Sequence, residues 1–224
     1  MSKDFTVLRV DASARQERSL SRALADRFVS EWRARWPHDA LLHRDVGSAP
    51  PPAISEAWIG AAFTPRAERS LEQQRLLALS DTLISELREA DLLLIAAPMY
   101  NYGMPAALKA WFDQVIRVDK TFSFDLERGD WPLRPTLEGK TLVGLSAHGE
   151  FGFEPGGPRS EMNHLQPHLA TCAHYLGASD YHFVAIEYQE FGDSRHRASV
   201  TQAHQQVREL VARLVDERCA VPAN

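Results

Sequence analysis

The sequence predicts a doubly wound α/β fold, with a five-stranded parallel sheet and helices on both faces. Three observations predict it. Segments with strand and helix periodicity alternate five times along the chain. The segment Asp91–Ala97 carries an unbroken apolar run, as expected of a parallel strand covered on both faces. No linker or internal repeat interrupts the 224 residues, so a single domain spanning 1–224 is expected.

Each element follows in order. Phe5 to Val10 is short and β-branched, and reads as the first strand. From Ser19 the apolar residues fall at Leu20, Leu24, Phe28, Trp32 and Trp36, one stripe of a helix that Pro37 closes. Leu41 to Val46 gives a weaker strand, and the prolines at 50–52 then enforce a loop. Residues 66–90 read as a charged helix with Leu76, Leu79, Leu83 and Leu87 on one face. After the strand at 91–97, Pro98 stops the extended run, and Gly103 and Pro105 open a helix buried through Leu108, Trp111, Phe112, Val115 and Ile116. Phe122, Phe124, a Gly129-Asp130 turn and Trp131 predict a hairpin within 121–136. Thr141 to Ser146 is another buried strand. Residues 158–177 look helical, 180–187 strand-like, and 195–218 helical again. The stretches 47–65 and 121–136 are insertions on this plan.

Composition narrows the function. Lys plus Arg number 25 against 30 Asp plus Glu, a formal charge of −5 with no basic block. A nucleic-acid or anionic-membrane binder needs a cationic face, so neither partner is expected. The longest apolar run, Leu92 to Tyr100, is nine residues, against about 20 for a membrane span. The first residues lead into a strand without the apolar core of a secretion signal, and Cys172 and Cys219 form no metal spacing or disulfide framework. A cytoplasmic protein is expected. His164 and His168 lie four apart, but without a third ligand they make no metal site.

Ligands of open parallel sheets bind outside the carboxyl ends of the strands. Three loops there have unusual compositions. The first, Asp11 to Ser21, offers the hydroxyls of Ser13, Ser19 and Ser21 beside a helix N-terminus, a combination suited to a phosphate, with Arg15 and Arg18 as possible added charge; a simple N-cap by Ser19 or Ser21 is the alternative. It contains neither GxGxxG nor GxxxxGK[ST], which disfavours dinucleotide and P-loop sites. The second, Pro98-Met-Tyr-Asn-Tyr-Gly-Met-Pro105, presents two aromatics, a thioether and an amide suited to a flat heteroaromatic ring, unless these side chains pack as core. The third, Ser146-Ala-His-Gly-Glu-Phe-Gly-Phe153, has glycines that let backbone approach a ligand. A phosphate site joined to a flat-ring site fits flavin mononucleotide (FMN) better than a dinucleotide.

These loops resemble the FMN-dependent NADH:quinone oxidoreductases, or azoreductases, of the flavodoxin-like superfamily. The strongest match is Ala97-Pro-Met-Tyr-Asn-Tyr-Gly-Met-Pro-Ala-Ala-Leu-Lys-Ala-Trp-Phe-Asp113, joined by the serine spacing from Ser13 to Ser21 and by Thr121-Phe-Ser-Phe124. The resemblance implies tightly bound, non-covalent FMN, with Ser13, Ser19, Leu20 and Ser21 on its phosphate. Met99, Tyr100, Asn101 and Tyr102 would line the isoalloxazine, and Ser146, Ala147, His148 and Gly149 would close over its pyrimidine end. Where family members tend to have Ser-Arg-Gly-Gly in the third loop, this chain has Ser-Ala-His-Gly. His148 is therefore expected as a donor near the flavin N1 and C2 carbonyl, stabilising the reduced anion.

The resemblance further implies a homodimer and a ping-pong reaction, in which NADH or NADPH reduces the flavin and a quinone or azo compound then reoxidises it. No side chain stands out as a general acid or base. A flavodoxin-like electron carrier and a non-catalytic ligand sensor on the same fold are the alternatives, since fold does not fix function.

Overall fold

A computed structural model describes residues 5–220. Five strands, β1 (Thr6–Asp11), β2 (Ala40–Asp45), β3 (Leu92–Pro98), β6 (Lys140–Ala147) and β7 (Ala178–Ile186), form one sheet in the order β2-β1-β3-β6-β7, every pair parallel. The chain steps outward from β1 to β2, then crosses to β3 on the other side, so strand order reverses between β1 and β3. The carboxyl ends of those strands therefore diverge into a crevice.

Helices α1 (Leu20–Arg35) and α6 (Ser194–Ala220) cover one face; α3 (Leu71–Glu89), α4 (Ala106–Val115) and α5 (Gln166–Tyr175) cover the other. Strand β3 shows why its sequence is apolar throughout. Leu93, Ile95 and Ala97 point into the core with α3, α4 and α5, while Leu92, Leu94 and Ala96 point into the core with α1 and α6. The short strands β4 (Phe122–Phe124) and β5 (Leu133–Pro135) pair antiparallel, the hairpin expected within 121–136.

Three expectations need correction. The helix expected over 66–90 begins at Leu71, after a short 3-10 turn at Arg66–Glu68, because Ser70 and Gln73 form a reciprocal capping box there. Its buried stripe is Leu77, Ser80, Leu83, Ile84 and Leu87; Leu76 and Leu79 lie on a neighbouring face and are exposed. Within 158–177, only 166–175 is α-helical, since the Asn163 side chain accepts from the amides of Leu165 and Gln166 and starts the helix late. The insertion at 47–65 also carries an unforeseen helix, α2 (Glu56–Phe63), capped by Ser55 and packed through Trp58, Ala61 and Ala62 on Leu77 of α3.

Candidate active site

Four loops meet at the carboxyl edge. The first, after β1, carries three buried serines. Ser19 is the N-cap of α1: its Oγ accepts from the Arg22 amide at 3.4 Å and lies 3.3 Å from Ser21 Oγ. Ser13 Oγ accepts from the Arg15 amide at 3.2 Å. Capping and anion binding coexist here, because an N-cap leaves the other N–H groups of the first turn directed outward at the positive end of the helix dipole. Beneath the loop, the fully buried Asp11 carboxylate is met by Arg9, Arg22 and His43 Nε2, the last at 2.9 Å. Burial alone would raise the neighbouring Asp45 carboxyl, but hydrogen bonds from Arg22 and Ser48 outweigh it and hold it at about 2.

The second loop is a tight turn. Tyr100 and Gly103 exchange two main-chain hydrogen bonds around Asn101 and Tyr102, whose φ values are 47° and 65°. Positive φ at both central residues is the type I′ geometry. It holds Met99 and Tyr100 at the cleft, and Tyr102 reaches across to the third loop, donating its hydroxyl to Glu150 Oε2 at 3.1 Å.

Ser146 and Ala147 end β6. Ser146 Oγ is buried and meets no hydrogen-bond partner among the described residues. The third loop is then zipped to a fourth, after β7: the Gln189 amide donates to the His148 carbonyl at 3.1 Å and the Glu190 amide to the Gly149 carbonyl at 2.9 Å.

The loops enclose a cleft of about 110 Å³. Ser13, Ser19, Leu20 and Ser21 line one end, Met99 and Tyr100 one wall, and Ala147 and Gly149 the other. Asn101, Tyr102 and Ser146 support this cleft without lining it. Gln189 and Glu190 do line it, and the loop composition alone did not single them out. Their signal was positional, since they follow a fifth strand at the same sheet edge. Arg15 and Arg18 stand between the cleft and a wider depression of about 730 Å³.

His148 departs from expectation. Its ring is 2% exposed and turns away from the cleft into a second cavity of about 350 Å³, shared with Asn163, Gln166 and Glu187. There it packs edge-on against Phe153 and parallel to Phe183, with Nδ1 3.8 Å from Glu187 Oε1. The cause is main-chain pairing: the His148 amide donates to Ile186 O at 2.7 Å, which continues the strand alternation and turns the next side chain inward. Among the described residues, no group of three His, Cys, Asp or Glu could hold a metal ion.

Comparison with known proteins agrees with this architecture. The family model described as Flavodoxin-like fold matches residues 6–211. The chain is 50% identical over 218 residues to "FMN-dependent NADH:quinone oxidoreductase 2" of Colwellia psychrerythraea, covering 94% of this chain and 100% of that one. It is 43% identical over 202 residues to "FMN-dependent NAD(P)H:quinone oxidoreductase 1" of Pseudomonas aeruginosa, covering 90% and 95%. The crystal structure of an azoreductase from Bacillus anthracis superposes with a TM-score of 0.81 at 23% identity, covering 92% and 98%, a likeness of fold.

Proposed function

The chain belongs to the flavodoxin-like family of FMN-dependent NADH:quinone oxidoreductases, and on that premise we propose that it binds FMN in the cleft and passes two electrons from NADH or NADPH to a quinone. The observation that carries the reading is the convergence, in one cleft, of a three-serine helix N-terminus with the Met99–Tyr100 wall and the Ala147–Gly149 wall.

In this reading Ser13, Ser19, Leu20 and Ser21 hold the phosphate through hydroxyls and main-chain N–H groups at the start of α1. Met99 and Tyr100 meet the face of the isoalloxazine. Ala147 and Gly149 bring main chain against its pyrimidine edge, and Asn101 and Tyr102 hold the turn that sets the wall. Bound FMN would supply the redox chemistry, a two-electron exchange between the reduced nicotinamide and the acceptor in ping-pong order. The chain's own work is to bind, orient and leave one face open: Tyr100 and Tyr102 are each more than one-third exposed, an apolar rim for a flat substrate. A nicotinamide, a quinone and an azo compound are all flat, so one open face serves each in turn.

The same reading has the chain acting in the cytoplasm as one domain per subunit of a homodimer. Phe63 on α2, and Leu126 and Trp131 on the hairpin, are large apolar residues exposed beyond 70% that a second copy would cover. Among the described residues no helix is long and apolar enough to cross a membrane.

The visible absorption spectrum of the purified protein tests this. Flavin bands near ~375 and ~450 nm should bleach on anaerobic addition of NADH and return on adding a quinone. A protein that stays colourless after incubation with FMN would overturn the reading.

A further inference from the structure

Arg22, on the first turn of α1, is 7% exposed and points under the phosphate loop. Its guanidinium has five N–H donors, and each has a partner. Nε donates to Arg15 O at 3.0 Å; Nη1 donates to Asp11 Oδ2 at 3.1 Å and Asp45 Oδ2 at 2.9 Å; Nη2 donates to Asp45 Oδ1 and to Ser13 O, both at 2.7 Å. Two carboxylates neutralise its charge and no donor remains, so Arg22 cannot itself bind a phosphate. What it does is fix two main-chain carbonyls of the loop, those of Ser13 and Arg15, toward the protein interior.

Peptide planarity then sets the opposite edge of the loop. Every peptide here is trans, so the N–H that follows an inward carbonyl points outward. The N–H groups following Ser13 O and Arg15 O are those of Ala14 and Gln16. Neither meets a protein acceptor among the described residues. Gly47, in the loop after β2, closes the arrangement from below. Its amide donates to Asp11 O at 3.0 Å, and a Cβ there would fall 2.1 Å from Ser13 O and 3.0 Å from Arg22 Nη2. Only glycine lets that loop approach closely enough for Asp45 to reach Arg22.

We propose that Arg22 is a positioning residue that, with Gly47, fixes the Ser13–Arg15 backbone and so sets the cleft-lining Ser13 and Arg15 at the phosphate end of the flavin. The inference rests on the FMN reading above. It separates two tasks that the arginines of this loop would otherwise share: Arg22 shapes the cradle, whereas Arg15 and Arg18, which make no ion pair among the described residues, are free to supply charge.

The experiment compares FMN with riboflavin, which lacks the phosphate. Affinities for both are measured by flavin-fluorescence quenching on the full-length chain stripped of flavin, for wild type, Arg22→Lys and Gly47→Ala. Lysine keeps the charge but offers three donors from one point, so it does not restore the paired contacts. Loss of the fixed Ser13 and Arg15 positions predicts FMN binding weakened about 10- to 100-fold in both variants, with riboflavin changed less than about 3-fold. In wild type, the backbone amide resonances of Ser13 and Arg15 should shift on adding inorganic phosphate. This readout decides the matter if circular dichroism shows that the variants do not fold. An unchanged FMN-to-riboflavin ratio, a parallel loss of both flavins, or silent Ser13 and Arg15 amides would overturn the proposal. Wild type that binds FMN no tighter than riboflavin would overturn the phosphate site itself.

Discussion

Tyr100 and Gly103 exchange two main-chain hydrogen bonds of 3.0 Å each, and the residues between them, Asn101 and Tyr102, both lie in the left-handed region. Asparagine tolerates that conformation and tyrosine seldom adopts it, so the turn stores strain at the wall of the cleft. Asn101→Gly should leave unfolding stability equal to or above wild type. Asn101→Val places a β-branched residue at positive φ and should cost about 1–2 kcal/mol, with weaker flavin binding as Tyr100 shifts. Denaturant unfolding checks it; a valine variant as stable as wild type would show that the turn is unstrained.

His148 and Glu187 form a pair beneath the third loop. Burial would raise the Glu187 carboxyl, but His148 and the amides of Gly152 and Phe153 together hold it below its ordinary value of 4.5. A carboxyl lowered by folding contributes stability above its unfolded pKa and loses it as pH falls through the folded one. Stability should therefore decline below about pH 4.5, and Glu187→Gln should flatten that part of the acid limb while lowering stability at neutral pH. An acid limb identical in wild type and Glu187→Gln would remove Glu187 from the account.

The same placement bears on His148→Ala. With the imidazole in the second cavity and not in the cleft, the flavin midpoint potential should stay where it is. Stability should fall by about 1–3 kcal/mol from the lost packing against Phe153 and Phe183. A midpoint that drops in the variant, titrated against reference dyes, would restore His148 to direct contact with the flavin.

Asp45 ties the phosphate loop to pH. Its carboxyl is brought from 3.8 to about 2, so the contribution is complete above pH 3.8 and is lost as pH falls toward 2. Protonation removes the partner of two Arg22 nitrogens, and the loop loosens. Asp45→Asn should imitate this at neutral pH by weakening FMN retention more than it weakens the fold. Flavin retained on gel filtration equally by variant and wild type would disprove the coupling.

Much of this was legible in the sequence. The apolar run of β3 announced a strand covered on both faces, and the serine spacing and Pro98–Pro105 segment announced two walls of the cleft. What stayed hidden depended on direction. Leu76 and Leu79 belong to the same leucine-rich pattern as Leu83 and Leu87, and only packing against α2 and α4 decides which face of α3 is buried. His148 stands in a site loop, yet one main-chain hydrogen bond to Ile186 decides which side its ring takes. Arg22 was invisible because its role lies in carbonyls it turns inward, a relation between β1, α1 and the loop after β2 that no local motif encodes.

The two cysteines should behave oppositely. Cys172 is buried among the α5 core residues, and burial pushes its thiol up to about 11; Cys219 is exposed near the end of α6. Only the thiolate reacts with an alkylating reagent, so both exposure and pKa protect Cys172. In the native protein at pH 8, iodoacetamide should label Cys219 alone, and both residues in denaturant. Cys172→Ala, which keeps an apolar atom in the core, should be tolerated better than Cys172→Ser, which buries a hydroxyl with an imperfect partner at about 1–3 kcal/mol. Labelling of Cys172 in the folded protein at a rate comparable to Cys219 would mean that α5 opens readily. The wall that α5 forms against β7, with Leu142 of β6 in the same core, would then be mobile.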